Sequence, residues 1–500
     1  GSERPLSSVL LIESDPHRER AALLEDGRVV EILIEPRVHQ AGVVGNIFKG
    51  RVARVVPGIQ AAFVDIGLER NAFLYAGDVH EELESLGLQG TPPSGPQAAE
   101  QKPIEELLSA GQELFVQAVK DPLPNKGTRV TTHITLPGRL LVLLPTVSKV
   151  GISRRIDDEA ERQRLEELLT QHLPASCGVI VRTAGAGREA EDFTRELERL
   201  CAEWQDLTEK SRSMSPPALV HREEDLAIRV VRDLLETHFE AIWVSGAGTA
   251  ERVVGFLSAW EPDLVEKVRV FDEPVGLFER FGVEDEIEAT LRHKVWLKSG
   301  GHISIHPTEA LVAIDVNTGR FVGEQDLEAT VLQTNLEAAR EVAHQIRLRD
   351  LSGILVVDFI DMEEPENRAA VLSAFERELE RDRAKSQVLG ISEFGLVQIT
   401  RKRGRQNLER LMTQGCPYCR SRGRIKSLSA ICLDLRRDLL RGRSGFEGAP
   451  LVVRVHPEIG QALEGAESGV LEEIQETLNT KIVVEQDAHL HHEVFEIEKG

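Results

Sequence analysis

Long apolar runs, aromatic residues and cysteines are all scarce in this sequence. Aromatic side chains make up 4% of the 500 residues and charged ones 29%, which is the composition of an ordinary globular protein. No apolar stretch reaches the roughly 18 residues that a membrane-spanning helix needs, and no leader of the secretory kind opens the chain. We therefore expect neither a membrane protein nor an exported one, and the length predicts roughly three or four domains.

The few cysteines indicate a reducing compartment. An odd number of thiols in a long chain without a leader argues against a disulfide framework. We therefore predict a cytoplasmic location. The five cysteines are Cys177, Cys201, Cys416, Cys419 and Cys432.

Positive charge is in deficit over the chain as a whole. The net charge of −23 by itself argues against a nucleic-acid partner. The charge is unevenly distributed, however, since residues 401–426 hold nine Lys or Arg and one acid, Glu409. Such a segment either contacts phosphates or forms a solvated helix face, and the total charge does not decide between the two.

Several motifs of catalysis and nucleotide binding are missing, namely the Walker loop, the nucleophile elbow and a Ser/His/Asp order. A glycine turn is present at residues 181–185, between a predicted strand and a predicted helix at about 189–210. Free N–H groups at a helix start bind anions, and Arg182 and Thr183 add donors that suit phosphate. A plain connecting loop is the alternative, as it is for the weaker turn at 245–248.

Residues 45–75 have the pattern of a small all-β barrel, in which short β-rich runs are broken by glycine and proline. Residues 86–104 are rich in Gly, Pro, Gln and Ser and predict a mobile loop inserted in the barrel. Aromatic residues on such strands either fill the core or serve as platforms on which bases stack. Those in this segment are Phe48, Phe63, Phe73 and Tyr75.

Two apolar strands each carry a carboxylate towards their end. Side chains two apart on a strand share a face, so Asp315 and Asn317 point the same way, and Asp358 occupies a similar place on the later strand. If the strands are neighbours, these three side chains converge on one edge. Such a group suits Mg²⁺, which takes its remaining ligands from water and phosphate. The alternative is a pair of buried acids neutralised by arginines or amides.

Other acids and histidines rank lower as ligands. Strict alternation predicts that Asp361 faces away from Asp358. His302 and His306 fit exposed strand histidines better than metal ligands. The histidine cluster at residues 489–492 predicts a solvated turn.

The C-x-x-C motif of Cys416 and Cys419 is the sharpest local motif. Two thiolates at this spacing hold one edge of a tetrahedral zinc. No second C-x-x-C motif is present in this sequence, and two copies of the chain could supply four thiolates between them. A redox pair and an incidental pair are the alternatives.

Taken together, the motifs resemble the bacterial ribonuclease E/G endoribonucleases, and among them the shorter ribonuclease G branch, because the sequence ends soon after a small domain. The matches occur in the family's order and cover nearly the whole chain. They are G-N-I-F-K-G-R-V at 45–52, A-A-F-V-D-I-G at 61–67, N-K-G at 125–127, G-I-S-R-R-I at 151–156, V-R-T-A-G at 181–185, A-I-D-V-N at 313–317, T-N-L-E-A-A at 334–339, R-L-R-D-L at 347–351, V-D-F-I-D-M at 357–362 and C-P-Y-C at 416–419.

The resemblance implies an α+β multidomain fold with an inserted barrel. Its parts would be an RNase H-like subdomain at 1–44 and 222–290, an S1-type OB barrel at 45–137, a 5′-sensor region at 138–221, a DNase I-like catalytic α/β subdomain at 291–412, a zinc link at 413–424 and a small C-terminal α/β domain at 425–500.

The resemblance also implies an activity and its residues. The activity would be metal-dependent cleavage of single-stranded RNA, leaving 5′-phosphate and 3′-hydroxyl ends and preferring 5′-monophosphorylated RNA, in the processing of rRNA precursors and the decay of mRNA. The residues would be Asp315 and Asp358 for Mg²⁺ or Mn²⁺, Asn317 for the scissile phosphate, Arg182 and Thr183 for the 5′-monophosphate, Phe63, Phe73 and Lys120 for RNA, and Cys416 and Cys419 for a Zn²⁺ shared in a homodimer, with a tetramer left open.

Two other functions remain as alternatives. A non-catalytic RNA-binding assembly factor would keep the barrel and the zinc dimer, but it has no need of acids that face phosphates. A metal phosphodiesterase acting on small molecules would keep the acids, but it has no need of the barrel and the basic segment.

Overall fold

The structure is a computed structural model. It describes the chain apart from residues 1–6, 37–42, 80–101, 121–126, 148, 154, 175–176, 235–238, 319–326, 393–394, 403–406, 443–445, 447–449 and 500. The chain divides into two compact units, Gly1–Leu411 and Met412–Gly500. Of the helices described, none has the length and apolar character to cross a membrane.

The strands and helices are as follows, in chain order. The strands are β1 (Ser8–Ser14), β2 (Arg18–Glu25), β3 (Arg28–Pro36), β4 (Ile47–Val56), β5 (Ala61–Asp65), β6 (Ala72–Tyr75), β7 (Glu113–Lys120), β8 (Arg129–Thr131), β9 (Leu136–Pro137), β10 (Leu141–Leu144), β11 (Val150–Ile152), β12 (Gly178–Val181), β13 (Ala218–His221), β14 (Phe239–Ser245), β15 (Val268–Phe271), β16 (Lys294–Trp296), β17 (His302–Pro307), β18 (Leu311–Asn317), β19 (Gly353–Asp358), β20 (Ser386–Ile391), β21 (Leu396–Arg401), β22 (Leu451–Val455), β23 (Ile482–Gln486) and β24 (Phe495–Lys499). The helices are α1 (Ile104–Leu107), α2 (Glu159–His172), α3 (Ala190–Arg212), α4 (Leu226–Leu234), α5 (Ala247–Trp260), α6 (Pro262–Val265), α7 (Leu277–Arg280), α8 (Val283–Thr290), α9 (Leu327–Leu348), α10 (Pro365–Glu380), α11 (Leu408–Met412), α12 (Leu428–Arg441), α13 (Pro457–Glu464) and α14 (Ser468–Leu478).

The first sheet of the larger unit has the strand order β15-β14-β1-β2-β3. Strand β1 pairs in parallel with β14 and antiparallel with β2. Alternation along β1 buries both faces, since Leu10 packs with α4 and α5 while Leu11 packs with α7 and α8. The chain leaves this sheet after β3 and returns to it from α4 onwards, so the barrel is inserted between its two halves.

The inserted barrel has the order β4-β5-β6-β8-β7 and closes through β4 and β7, with β13 added to β4. Glycine is required at position 50 of β4, because a Cβ there would lie 2.7 Å from the Val64 side chain of β5. Most of the predicted insertion at 86–104 and of the N-K-G turn lies outside the described residues. At the end of that insertion, Ile104 begins α1 and is fully buried in the barrel core.

A four-stranded sheet of order β11-β12-β10-β9 follows the barrel. Helices α2 and α3 cover it, and the core between them includes Leu165, Val179 and Phe193. The sheet therefore holds the 181–185 turn at the end of β12, just before α3 begins.

The last sheet of the larger unit has six strands in the order β16-β17-β18-β19-β21-β20. Strands β18 and β19 are parallel, and their neighbours run antiparallel to them. Helices α9 and α10 contribute to a core on one face of this sheet, packed against Ile314 and Val357 among others. Residues that alternate with these apolar ones lie on the opposite face, which is where the candidate site is found.

The smaller unit has a three-stranded sheet of order β23-β22-β24, with α12, α13 and α14 packed around one apolar core. The predicted mixed α+β class is confirmed, as is a closed five-stranded barrel of the OB kind.

Candidate functional site

Asp315 and Asp358 are direct partners on neighbouring parallel strands. The register of β18 and β19 pairs these two residues, so their side chains lie on the same face, and both are exposed. Alternation explains the position, since Ile314 and Val357 next to them point into the core. The prediction that the two strands are neighbours is confirmed, and the alternative of buried acids is wrong.

Asn317 orients one of the two carboxylates. Its Nδ2 donates a hydrogen bond of 2.7 Å to Oδ2 of Asp315. The strand on the other side pairs His302 with Asn317, which puts this imidazole on the same face. Burial and then the charge of Lys294 lower the pKa of His302, while the charge of Asp315 acts in the opposite direction. His302 therefore stays neutral at pH 7, beside the acids, whereas His306 is exposed further along the strand.

Asp358 lies among other negative charges. Burial raises its pKa, and so do the charges of Asp315 and Asp361. The predicted orientation of Asp361 stays a prediction. Strand β19 ends at Asp358, so alternation no longer applies beyond it. The side chain of Asn335 fixes the segment that follows, because its amide donates to the Ile360 carbonyl at 2.8 Å and accepts from the Ile360 N–H at 3.1 Å.

This group fits a hard divalent cation. Two exposed carboxylates on one face repel each other, and a cation would replace that repulsion with attraction. Among the described residues, no third Cys, His, Asp or Glu completes a compact group with both acids. Water and phosphate would therefore complete the coordination shell, which is what Mg²⁺ prefers.

A row of aromatic and basic side chains crosses the outside of the barrel. Phe63 is the register partner of Arg54 on one side and of Phe73 on the other. Phe73 in turn pairs with Arg129, and Arg129 pairs with Lys120. The Phe63 and Phe73 rings meet edge to face with centroids 5.3 Å apart, and the Arg54 guanidinium lies 5.2 Å from the centre of the Phe63 ring.

The two phenylalanines of this row lie outside the barrel core. Both are half-buried and absent from the barrel core, which Phe48 fills instead. Tyr75 extends the aromatic surface, with its ring 4.4 Å from that of Phe73. Aromatic faces flanked by cations suit the bases and phosphates of a single strand.

Arg182 directly follows β12, in the turn predicted to receive a 5′-phosphate, and its guanidinium already has partners. It donates to the Gly138 carbonyl at 2.8 Å and to Oδ1 of Asp233 at 3.0 Å. Although burial acts in the opposite direction, the charges of Arg232 and Arg182 lower the pKa of Asp233. An incoming phosphate would therefore share Arg182 with an ionised carboxylate.

Thr183 and the glycine of the same turn shape this pocket. The Thr183 hydroxyl lies 3.2 Å from that of Ser153, so two hydroxyl groups meet beside Arg182. A Cβ at Gly185 would lie 2.7 Å from Val181 and 3.1 Å from the Phe193 ring. Glycine is thus needed at this position, because the turn packs so closely against the start of α3 that a larger side chain has no room.

Cys416 and Cys419 form a turn with the character of half a metal site. Hydrogen bonds from the backbone N–H groups of Cys419 and Tyr418 lower the pKa of the exposed Cys416 thiol, which favours the thiolate that a metal binds. Among the described residues, no histidine or acid joins the pair to make a group of three. The predicted zinc shared between two chains stays a prediction.

The histidine cluster near the C-terminus only partly matches the predicted solvated turn. His489 is exposed, but His491 and His492 pack against Tyr418, with ring centroids 4.0 Å and 5.9 Å away.

Comparison with known proteins identifies the family. Residues 135–404 match the model of the Ribonuclease E/G family. The chain is 38% identical over 497 residues to Ribonuclease G of Salmonella typhimurium, which covers 98% of this chain and 99% of that protein. It is 34% identical over 499 residues to Ribonuclease E of Haemophilus influenzae, which covers 98% of this chain and 52% of that protein. This chain belongs to the ribonuclease E/G family. The predicted family and enzyme class, an endoribonuclease, are confirmed.

In this member of the ribonuclease E/G family, three residues of the barrel row escaped sequence reasoning. Arg54 and Arg129 were not predicted as RNA contacts, and Tyr75 was left undecided. Alternating exposure on β6 was the available signal for Tyr75, because it lies two residues after Phe73. For the arginines, the sequence carries no local signal, since their aromatic partners are on other strands.

Part of the basic stretch at 401–426 is structural. Arg401 is buried and bonds Asp382 at 2.6 Å. Arg422 pairs with Glu493 at 2.6 Å, and Lys426 pairs with Asp434. The cations of these three residues are therefore paired within the chain.

Proposed function

We propose that this chain is a divalent-metal-dependent endoribonuclease that cleaves single-stranded RNA and leaves 5′-phosphate and 3′-hydroxyl ends. The observation that carries the proposal is the register pairing of Asp315 with Asp358 on the open face of the sheet. Among the described residues, neither carboxylate forms an ion pair, and two such adjacent carboxylates serve catalysis better than stability because their repulsion costs folding free energy.

The residues of the site have separate tasks. Asp315 and Asp358 would hold Mg²⁺ or Mn²⁺, and when bound this ion would polarise the phosphodiester and lower the pKa of water. Asn317 holds the Asp315 carboxylate in one orientation and leaves its amide beside the place of the scissile phosphate. Asn335 fixes the backbone after Asp358 and so limits the freedom of that carboxylate.

The barrel row supports a single-stranded substrate. Bases have to be unstacked before they can lie on Phe63, Phe73 and Tyr75, which a duplex does not allow. Arg54, Arg129 and Lys120 lie across the same face and would meet the phosphates, with Arg129 shared between RNA and its ion-pair partner Asp78. The proposed substrates are rRNA precursors and mRNA, in processing and decay.

Two further properties complete the proposal. Arg182, Thr183 and Ser153 would receive a 5′-monophosphate, which gives a preference for RNA with that end. Cys416 and Cys419 would bind a Zn²⁺ together with the same pair from a second chain, which makes the enzyme a homodimer and leaves a tetramer open.

The test is incubation of a 5′-monophosphorylated single-stranded RNA with the full chain and Mg²⁺, with EDTA as the control. The proposal expects internal cleavage with Mg²⁺, none with EDTA, and products with 5′-phosphate and 3′-hydroxyl ends. RNA that is bound but never cut would make the chain an RNA-binding assembly factor instead. Equal cleavage in EDTA would contradict the role of the two carboxylates.

A further inference from the structure

We propose that the smaller unit contains a second transition-metal site, formed by His456, Glu458 and His492, which binds Zn²⁺ independently of the cysteine pair. Its ligands come from two places that are far apart in sequence. His456 and Glu458 lie at the start of α13, and His492 lies in the segment before β24. The inference concerns metal binding only and does not depend on ribonuclease activity.

The distances within this cluster match those of a metal site. Ligand atoms of all three residues lie within 4.8 Å of one another. Nε2 of His492 is 3.2 Å from Oε2 of Glu458, and the two imidazole rings have centroids 3.6 Å apart. Two atoms at about 2.1 Å from a tetrahedral zinc are themselves roughly 3.4 Å apart, so the Glu458–His492 pair already has the right separation, whereas the stacked ring of His456 would have to turn to face the same ion.

Tyr418 orients one of the ligands. Its hydroxyl is hydrogen-bonded to Nδ1 of His492 and accepts from the His492 backbone N–H at 3.3 Å. A proton on Nδ1 directed at the phenol leaves the lone pair of Nε2 facing Glu458. Metal-binding histidines use their second nitrogen in this way, and the partner fixes both tautomer and ring orientation.

The chemistry of the three ligands selects zinc over magnesium. Imidazole nitrogens with one carboxylate suit Zn²⁺ and its transition-metal neighbours, whereas Mg²⁺ requires oxygen ligands. Three protein ligands leave one position for water or another donor. Glu458 is exposed, and the His492 side chain is 19% exposed, so the ion can reach the cluster from solvent.

A bound ion would add a link between the start of α13 and the segment before β24, next to the backbone pairing of β22 with β24. His456 caps α13, since its Nδ1 accepts from the Glu458 N–H at 3.3 Å, and His492 precedes the edge strand β24. The alternative is an ordinary ion pair between a protonated His492 and Glu458. The zinc site and the ion pair use the same contacts, but only the zinc site predicts saturable zinc binding.

The experiment uses the full chain with Cys416→Ser and Cys419→Ser, so that the cysteine pair contributes no zinc. Metal-free protein is titrated with Zn²⁺ by calorimetry, and Co²⁺ is used to record a spectrum. The proposal predicts about one Zn²⁺ per chain and a Co²⁺ spectrum without thiolate charge-transfer bands. It also predicts that Zn²⁺ raises the unfolding temperature. Absence of saturable binding in this variant would overturn it.

Further variants in this background identify the ligands. His456→Asn keeps a helix-capping acceptor but loses the imidazole, and Glu458→Gln keeps the size of the side chain. Each should weaken zinc binding at least tenfold, and His492→Ala should abolish it. Tyr418→Phe should weaken binding by about 10- to 100-fold without changing the unfolding temperature of the metal-free protein.

The matched control is His489→Ala, which removes an exposed histidine from the same segment. It should leave the zinc affinity unchanged. If this control weakens binding as much as His456→Asn does, the zinc is held by histidines in general and the proposed site is wrong. If neither His456→Asn nor His492→Ala changes the affinity, the ligands are elsewhere and the proposal also fails.

Discussion

At the scale of single residues, the polar side chains of the candidate catalytic site alternate with apolar ones along their strands. Asp315, Asn317 and Asp358 could be found from the sequence because an acid in an apolar strand is conspicuous. The partners of such residues could not be found in the same way. Asp233, which bonds Arg182, belongs to helix α4, and no sequence pattern connects it with the turn that carries Arg182.

The proposed role of Arg182 in binding a 5′-monophosphate can be tested with two RNA substrates. Arg182→Ala should lower kcat/KM on 5′-monophosphorylated RNA by about ten- to a hundredfold, because charged hydrogen bonds contribute roughly 1.5–3 kcal/mol each. RNA with a 5′-hydroxyl does not use the pocket and serves as the control. If the parent shows no preference between the two RNAs, or the variant loses both activities equally, Arg182 is structural and the sensor assignment fails.

At the scale of elements, irregularities in the strands limit how well the sequence predicts the face on which a residue lies. The sheet register shifts between Val52 and Arg54, and again between Ala118 and Lys120. Strict alternation would put both members of each pair on one face, yet the apolar member is in the barrel core and the basic one is exposed. The existence of the barrel was thus predictable, whereas Arg54 was not, and Lys120 came only from the family resemblance.

The aromatic part of this row gives a prediction about RNA binding. Phe73→Ala should weaken binding of a short single-stranded RNA by about 5- to 150-fold, because stacking of one base contributes roughly 1–3 kcal/mol. Fluorescence anisotropy in EDTA measures the affinity without cleavage. Ile59→Ala is the control, since Ile59 is a 52% exposed apolar residue of the barrel outside the row. Equal losses in both variants would mean that the row is not the RNA platform.

His344 of helix α9 is expected to make the stability of the fold depend on pH. Burial, and then the charges of Arg28 and Arg347, lower the pKa of His344 from 6.5 to about 3. Between these values the unfolded chain binds a proton here and the folded chain does not, so stability falls as the pH drops from 6.5 towards 3. His344→Gln should reduce this loss, measured as unfolding temperature at pH 7 and pH 5. A pH dependence identical to that of the parent would show that His344 does not contribute.

At the scale of the whole molecule, the net charge of −23 is compatible with an RNA substrate because the barrel row gathers cations on one local face. The sequence order of the motifs was enough to predict the family and the mixed fold. It could not predict the cluster of His456, Glu458 and His492, because only folding of the smaller unit brings these residues together.

The proposed self-association rests on Cys416 and Cys419 as half of a shared zinc site. Replacing both by Ser should lower the zinc content by about half an ion per chain, the value for a four-thiolate site shared by two chains, and should weaken the dimer. Metal analysis and sedimentation velocity measure the two effects. Cys201→Ser, a cysteine outside the motif, should change neither. A loss of one zinc per chain, or a dimer that sediments as before, would rule out the shared site.

The most direct test of the central claim is the turnover of Asp315→Asn and Asp358→Asn on a short fluorogenic single-stranded RNA with Mg²⁺. Loss of one metal ligand removes the activated water, so kcat/KM should fall at least about a hundredfold, while the unfolding temperature and the RNA affinity stay near those of the parent. Glu309→Gln removes an exposed acid just before β18, at the end opposite Asp315, and should leave turnover unchanged. Near-parental turnover in either aspartate variant would contradict the assignment of this carboxylate pair as the catalytic centre.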